Sequence, residues 1–357
     1  MLNEERLMKV NPWKFWLEVA GWLAIFFIIL EVYIRFFVFN SPSRVIDPAW
    51  GKVPSPNTCY RRGTEGFGVT CYSDHGEIKT PYQDGVSVVV LGDSYTEATQ
   101  VDNSEKYVSL TESYLRERGL KVDLHNLGDS GLNTADYVYL APLITKTFSP
   151  EVVVLQVNAN DFSESLDIDG ENHFEQQNGE MALSHNDSTP DDVALENIAR
   201  SSSLLTYTIF RWSKISPKIV FASSFFANSP DPGVLNGFGN SAAENISAEQ
   251  IILQLDAIKR AYSASHLVIL FIPNIPVVSD SGLSWTNPSD DYFLSTFNSI
   301  DGITIAYPVD GIRALYEEEK ILPRGFFNTT PNKGHINAYG HELVAKSLAD
   351  KLEEILK

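Results

Sequence analysis

From residue 86 onward the chain alternates short β-branched runs with stretches of helical apolar spacing. The first run, at 86–91, reads Val-Ser-Val-Val-Val-Leu, which is typical of a strand buried on both faces of a sheet. Similar runs at 122–127 and 152–157 are separated by helical patterns near 104–118 and 134–148. This strand–helix–strand order predicts a parallel sheet with right-handed crossovers.

The alternation resumes after residue 248 and continues to a final amphipathic helix that ends near residue 356. We therefore predict an α/β domain over residues 85–357, interrupted by an insertion at 162–248. Residues 41–84 are rich in proline and predict an extended connection. Residues 1–40 form a separate N-terminal segment.

This N-terminal segment predicts a membrane helix. Residues 19–30 carry no polar side chain, a run too short to span a bilayer, but extension to residue 39 reaches a spanning length. The extension includes Glu31 and Arg35, whose spacing and order favour a helical ion pair. A cleaved signal peptide is the alternative, but no small-x-small cleavage site follows the apolar run. We therefore expect an uncleaved single-pass anchor.

The only two cysteines, Cys59 and Cys71, flank a polar, glycine-rich loop. A disulfide between them suits an oxidising compartment and would place residues 41–357 outside the cytoplasm. Two free thiols are the alternative. A metal site lacks ligands, since His75 is the only nearby candidate, and we expect neither a metal nor another cofactor.

The charge balance bears on partners. The chain has 357 residues, with 27 Lys and Arg against 46 Asp and Glu, a formal net charge of −19. Nucleic-acid binding needs a positive face to neutralise phosphates. We therefore expect no nucleic-acid partner and predict contact with a membrane through the N-terminal helix.

The first strand ends in Gly92-Asp93-Ser94, so Ser94 stands at the carboxyl edge of the predicted sheet, where ligand crevices of open α/β sheets lie. An ordinary turn also uses these residue types. Two further polar loops follow the next strands and contain Gly131 and Asn160, whose N–H groups could stabilise an oxyanion. His335 precedes the last helix and could serve as the base that a serine nucleophile needs.

These residues together resemble the SGNH, or GDSL-like, hydrolase superfamily, over about residues 85–357 without the insertion. The resemblance implies a flavodoxin-like three-layer α/β/α sandwich with a parallel sheet. It implies that Ser94 is the nucleophile and that His335 is the base. It further implies that the Ser94 N–H, Gly131 and Asn160 form the oxyanion hole.

Two positions depart from the family pattern. The third block of the family usually begins with glycine, where this chain has Asn158. The family has an aspartate three residues before the histidine, where this chain has Asn332. Asn332 could orient the imidazole through a hydrogen bond but adds no negative charge. The site would then be a Ser94–His335 dyad, or a carboxylate would come from elsewhere in the chain.

The function predicted from the sequence is an extracytoplasmic serine-dependent esterase or carbohydrate O-deacetylase. Its substrate would be an acylated small molecule or polysaccharide, because the anchored architecture resembles bacterial proteins that modify envelope polysaccharides. Two alternatives stay open: an O-acyltransferase with a sugar hydroxyl as acceptor, and an inactive glycan-binding module that keeps the fold.

Overall fold

The computed structural model describes residues 12–40, 43–74, 76–186, 193–194, 197–198, 200–213, 246–279 and 282–357. The strands are β1 (Phe39–Asn40), β2 (Arg44–Asp47), β3 (Gly51–Pro54), β4 (Cys59–Arg62), β5 (Gly68–Cys71), β6 (Val86–Gly92), β7 (Val122–Gly128), β8 (Val152–Val157), β9 (Asn172–Gln177), β10 (Glu180–His185), β11 (His266–Phe271), β12 (Val277–Ser279), β13 (Gly282–Ser284) and β14 (Ile303–Ala306). The helices are α1 (Pro12–Tyr33), α2 (Ser94–Glu97), α3 (Tyr107–Glu117), α4 (Thr134–Phe148), α5 (Ala159–Glu164), α6 (Ser203–Ser213), α7 (Ala248–Ala261), α8 (Pro288–Phe297), α9 (Val309–Glu319) and α10 (Ala338–Leu356).

The N-terminal segment is helical, as its sequence predicts. Helix α1 continues into a π-helical turn, Ile34–Val38. Together they form a helix that is long and apolar enough to cross a membrane, judged by length and composition. The segment therefore has the dimensions of a membrane anchor.

Residues 43–74 are more ordered than an extended connection. Strands β1, β4 and β5 form a three-stranded antiparallel sheet, and β2 pairs with β3. Cys59 and Cys71 face each other across β4 and β5 and form a disulfide. The predicted disulfide is confirmed, and neither free thiols nor a metal site at these cysteines applies.

The centre of the molecule is a five-stranded parallel sheet in the order β7–β6–β8–β11–β14. Numbered by chain order within the sheet, this is 2-1-3-4-5, the flavodoxin-like arrangement. After β6 the chain adds β7 on one side of it and then β8 on the other side. The crevice between the ends of β6 and β8 is therefore a topological switch point. The predicted α/β class and parallel sheet are confirmed.

Helices cover both faces of the sheet, because successive side chains of each strand point to opposite faces. Val88 and Val90 of β6 belong to a core shared with α3 and α10, whereas Val89 and Leu91 belong to a core shared with α4, α7 and α8. All four side chains are fully buried. This explains the unbroken apolar run at the start of the domain and gives the predicted three layers.

The insertion is described in part. Strands β9 and β10 form an antiparallel hairpin that turns at Asn178 and Gly179, both with positive φ, as an Asn-Gly sequence favours. Helix α6 follows, and residues 214–245 lie outside the described residues. The predicted domain limits at 40, 84, 162 and 248 stay a prediction.

Candidate active site

Ser94 lies at the carboxyl end of β6, as the first residue of the short helix α2. Asp93 caps this helix by accepting a hydrogen bond from the Tyr95 N–H at 2.9 Å. Gly92 is needed for the tight turn, because a Cβ there would collide with Thr96 and would lie 2.7 Å from Gln156 Oε1. The turn holds the Ser94 hydroxyl at the sheet edge.

His335 reaches this hydroxyl from the loop before α10. Its Nε2 lies 2.9 Å from Ser94 Oγ, a normal hydrogen-bond distance. The imidazole is buried, with 6% of the residue exposed, and its ring lies against that of Tyr95, with 5.3 Å between centroids. The structure therefore brings the two predicted catalytic side chains into direct contact across 241 residues of sequence.

A carboxylate that was not identified from the sequence contacts the other nitrogen of this imidazole. Glu65 Oε2 lies 2.8 Å from His335 Nδ1, and Glu65 Oε1 accepts a hydrogen bond from the His335 backbone N–H at 2.8 Å. Gly334 allows the close approach: it has a φ of +81°, and a side chain there would collide with the Glu65 carboxylate. Ser94, His335 and Glu65 thus form a hydrogen-bonded triad.

Glu65 is held in its charged form. Burial disfavours the carboxylate, but the charge of His335, its hydrogen bonds and the nearby Arg62 outweigh burial and lower the Glu65 pKa to about 2. Arg62 Nη2 lies 3.9 Å from Glu65 Oε2, and both side chains are buried. A permanent negative charge therefore faces the imidazole at neutral pH.

Asn332 occupies a different place from the one proposed for it. It adopts a left-handed φ of +59° in the turn that precedes Gly334. Its Nδ2 donates a hydrogen bond to the carbonyl oxygen of Pro276 at 2.6 Å. The hydrogen-bond partner of His335 Nδ1 is Glu65 rather than Asn332, because the positive φ and this bond keep Asn332 in the turn.

Gly131 lies in the loop after β7, with a φ of +93° and an exposed backbone. Contacts with two charged side chains, Arg44 and Glu97, hold this loop in place. Arg44 of β2 forms a two-pronged pair with Asp129, at 2.8 and 2.5 Å. Glu97 of α2 accepts hydrogen bonds from the backbone N–H and the hydroxyl of Ser130. The loop that carries Gly131 is therefore tied to the turn that carries Ser94.

Asn160 lies in the first turn of α5, directly after β8. Asn158 caps this helix, and its Nδ2 donates to Asp93 Oδ2 at 2.7 Å. Burial raises the pKa of both Asp93 and Asp161, and the charge of Asp93 raises the pKa of Asp161 further. These contacts join the Asn160 loop to the Ser94 loop.

A small pocket adjoins this edge. Its volume is about 20 Å³, room for roughly one water-sized group. It is lined by Tyr95, Asn158, Ala159, Asn160, Ile272, Asn274 and Arg324.

The described residues contain no group of three or more His, Cys, Asp or Glu side chains placed to hold a metal ion. The chemistry that the arrangement offers is instead nucleophilic. A serine hydroxyl, an imidazole and a carboxylate are linked by two successive hydrogen bonds. N–H donors lie on neighbouring loops at the same sheet edge. This is the set of groups that acyl transfer through a serine requires.

No protein-family model matches the sequence, and no curated protein matches it. Among solved structures, the chain is similar to a psychrotrophic esterase, EstA, from Pseudoalteromonas sp., at 12% identity and a TM-score of 0.40, over 76% of this chain and 98% of that one. It is similar to a Clostridium thermocellum family 3 carbohydrate esterase at 11% identity and a TM-score of 0.38, over 76% and 98%. It is also similar to a member of the lipolytic protein G-D-S-L family from Veillonella parvula DSM 2008, at 10% identity and a TM-score of 0.39, over 74% and 97%. Similarity at this level assigns neither a family nor a substrate.

Proposed function

We propose that this chain is an SGNH-type serine ester hydrolase, held at a membrane by its N-terminal helix. The observation that carries the proposal is the hydrogen-bonded order Ser94–His335–Glu65 at the carboxyl edge of the sheet. A complete triad favours catalysis over a non-catalytic glycan-binding module, because a binding module has no need for an ionised carboxylate on a buried imidazole.

In the proposed reaction, His335 removes the proton of Ser94 while Oγ forms a bond to the ester carbonyl carbon. The bond to the alcohol oxygen then breaks, and His335 returns the proton to the departing alcohol. Water attacks the acyl-serine with the same proton relay and releases the carboxylic acid. Glu65 holds the imidazole in one tautomer and stabilises its protonated form.

Three N–H groups are proposed to stabilise the oxyanion: the backbone N–H of Ser94, the backbone N–H of Gly131 and the side-chain amide of Asn160. The contacts of Asp129, Ser130 and Asn158 described above support this assignment, because they fix the two donor loops relative to Ser94. Preorganised donors of this kind stabilise charge only as it develops in the transition state.

Two observations support an uncleaved anchor with the catalytic domain outside the cytoplasm. The end of the apolar helix and the residue that follows it are part of the fold, since Glu31 contacts Ser203 and Phe39 pairs with Arg62. A removable signal peptide would not contribute such contacts. The Cys59–Cys71 disulfide supports an oxidising compartment.

The test is hydrolysis of p-nitrophenyl acetate by the full chain in detergent, compared with Ser94→Ala. We expect the variant to lose at least about a thousandfold in kcat/KM, because the remaining groups cannot form the acyl-enzyme. Circular dichroism checks that the variant is folded. Equal rates for the two proteins would show that Ser94 takes no part in the reaction.

A further inference from the structure

The last turns of the proposed anchor are joined to the insertion. The apolar helix Pro12–Val38 has 27 residues, about 40 Å at 1.5 Å per residue, and exceeds the roughly 30 Å hydrocarbon core. Glu31 lies near its end and accepts hydrogen bonds from the backbone N–H groups of Ser203 and Leu204, at 2.9 and 2.8 Å. A span of about 20 residues that begins at Pro12 reaches the membrane interface near Glu31, which would place the first turn of α6 at that level.

The hairpin that carries Glu65 packs against the end of the same helix at Val38, about 10 Å beyond Glu31. Phe39, the first residue after the apolar helix, pairs with Arg62. A Cβ at Gly63 would lie only 2.6 Å from the carbonyl oxygen of Val38. The hairpin that carries the triad carboxylate is therefore in direct contact with the end of the membrane helix.

Two exposed aromatic side chains lie on the loops that carry triad residues. Phe67, beside Glu65, is 52% exposed, and Phe327, in the loop that leads to His335, is 87% exposed. Asn328 joins the two loops by accepting from the Gly66 N–H at 2.9 Å and donating to the Gly63 carbonyl at 3.0 Å. A lone exposed aromatic needs no explanation, but this pair adjoins the end of a membrane helix.

We infer that Phe67 and Phe327 rest on the lipid surface that the N-terminal helix enters, so that the site takes an ester carried by a membrane amphiphile. The inference rests on the proposed function and names the class of its substrate. Aromatic side chains favour the bilayer interface. A substrate held in the same bilayer meets the site at a raised effective concentration. The pocket beside Asn160 is small, and acetate esters are therefore used as the probes.

The surface is tested without reference to activity. The full chain carrying Phe67→Cys or Phe327→Cys is spin-labelled and reconstituted in phosphatidylcholine vesicles, and the label's collision rates with oxygen and with a nickel chelate are measured. We expect oxygen to dominate at both positions, as in lipid. Glu151→Cys is the control, because Glu151 is exposed and precedes β8 at the opposite sheet edge; its label should favour the nickel chelate. Labels at Phe67 and Phe327 that behave like the control would overturn the inference.

The substrate class is tested with two acetate esters of glycerol in the same vesicles, membrane-borne acetyl-dipalmitoylglycerol and water-soluble triacetin. We expect a higher rate of acetate release from the membrane-borne ester, and Phe327→Ser should lower that rate about tenfold by removing one interfacial aromatic. Hydrolysis of triacetin should be unaffected by Phe327→Ser. Hydrolysis of triacetin alone would overturn the inference and leave the proposed function intact, whereas no Ser94-dependent hydrolysis of either ester would overturn the function.

Discussion

The imidazole of His335 connects two groups from distant parts of the chain, the Ser94 hydroxyl and the Glu65 carboxylate. Both contacts are short, and both His335 and Glu65 are shielded from water. The buried guanidinium of Arg62 stands behind the carboxylate. Glu65 therefore takes the position that an aspartate near the histidine would otherwise have.

Glu65→Gln removes this charge while keeping the side-chain size. We expect kcat for p-nitrophenyl acetate to fall roughly 10³- to 10⁴-fold, because an amide neither fixes the reactive tautomer nor stabilises the imidazolium. Asn332→Gly is the matched control, since glycine accepts the positive φ at that position and only the bond to Pro276 is lost. A larger loss in Asn332→Gly than in Glu65→Gln would assign the orienting role to Asn332.

The same carboxylate links stability to pH. Its pKa of about 2 in the folded state lies below the ordinary value of 4.5. The unfolded state therefore binds more protons between these values, so this stabilisation is complete above pH 4.5 and is lost as pH falls toward 2. It amounts to up to about 3 kcal/mol. Urea unfolding of wild type and Glu65→Gln should differ most at pH 7 and converge toward pH 3; a constant difference would contradict the assignment.

Ser94, His335, Gly131 and Asn160 could be selected from the sequence because each sits in a recognisable position: at a strand end or just before the last helix. Glu65 could not, because it lies 270 residues before His335 and is one of 46 acidic residues. The available signal was its place in a glycine-rich loop between the only two cysteines. A triad is defined by position in space, which sequence spacing alone does not give.

At the scale of elements, the β4–β5 hairpin matters most for the site. The disulfide joins the strands at the open end of this hairpin, and Glu65 lies in the loop between them. Lys106 holds the hairpin from behind, since its buried Nζ donates to Thr70 and to the carbonyl oxygens of Glu97 and Ala98. The hairpin thereby connects the triad carboxylate to the turn that carries Ser94.

Replacing both cysteines, Cys59→Ser with Cys71→Ser, should loosen this hairpin. We expect the free energy of unfolding to fall by roughly 3 kcal/mol, because the loop is short, and kcat to fall as the Glu65 contact becomes less occupied. Kinetics in the Glu65→Gln background give the control, since there the cysteine changes should cost no further activity. An unchanged kcat in the wild-type background would show that loosening the hairpin does not affect catalysis.

Long β-branched runs predicted the strands of the central sheet well, since a strand buried on both faces must be apolar throughout. Helix α4 and strand β8 follow their predicted limits at 134–148 and 152–157. The small strands of residues 43–74 were expected as an extended connection. Each has at most four residues and little apolar alternation, so its pairing depends on tertiary contacts and the disulfide.

In the whole molecule, the Ser94–His335–Glu65 triad lies between the parallel α/β domain and the end of the apolar N-terminal helix. The core domain supplies Ser94 and His335, and the segment next to the helix supplies Glu65 and Arg44. An activity that needs both parts would depend on residues 41–84 being retained.

The proposed location predicts the side of the membrane. Alkaline phosphatase fused after Lys357 should be active in a bacterial host, because that enzyme needs its own disulfides and folds outside the cytoplasm. The same position fused to a reporter that works only in the cytoplasm should be silent. The opposite pattern would contradict the extracytoplasmic assignment.

The most direct test of the triad is the rate of covalent labelling by a serine-directed fluorophosphonate, with the modified peptide identified by mass spectrometry. We expect labelling of wild type at Ser94 and no labelling of that peptide in Ser94→Ala. In Glu65→Gln and in His335→Ala, labelling should be slowed at least about a hundredfold. Labelling at another residue, or labelling of Ser94 at the same rate in wild type and Glu65→Gln, would contradict the proposed triad.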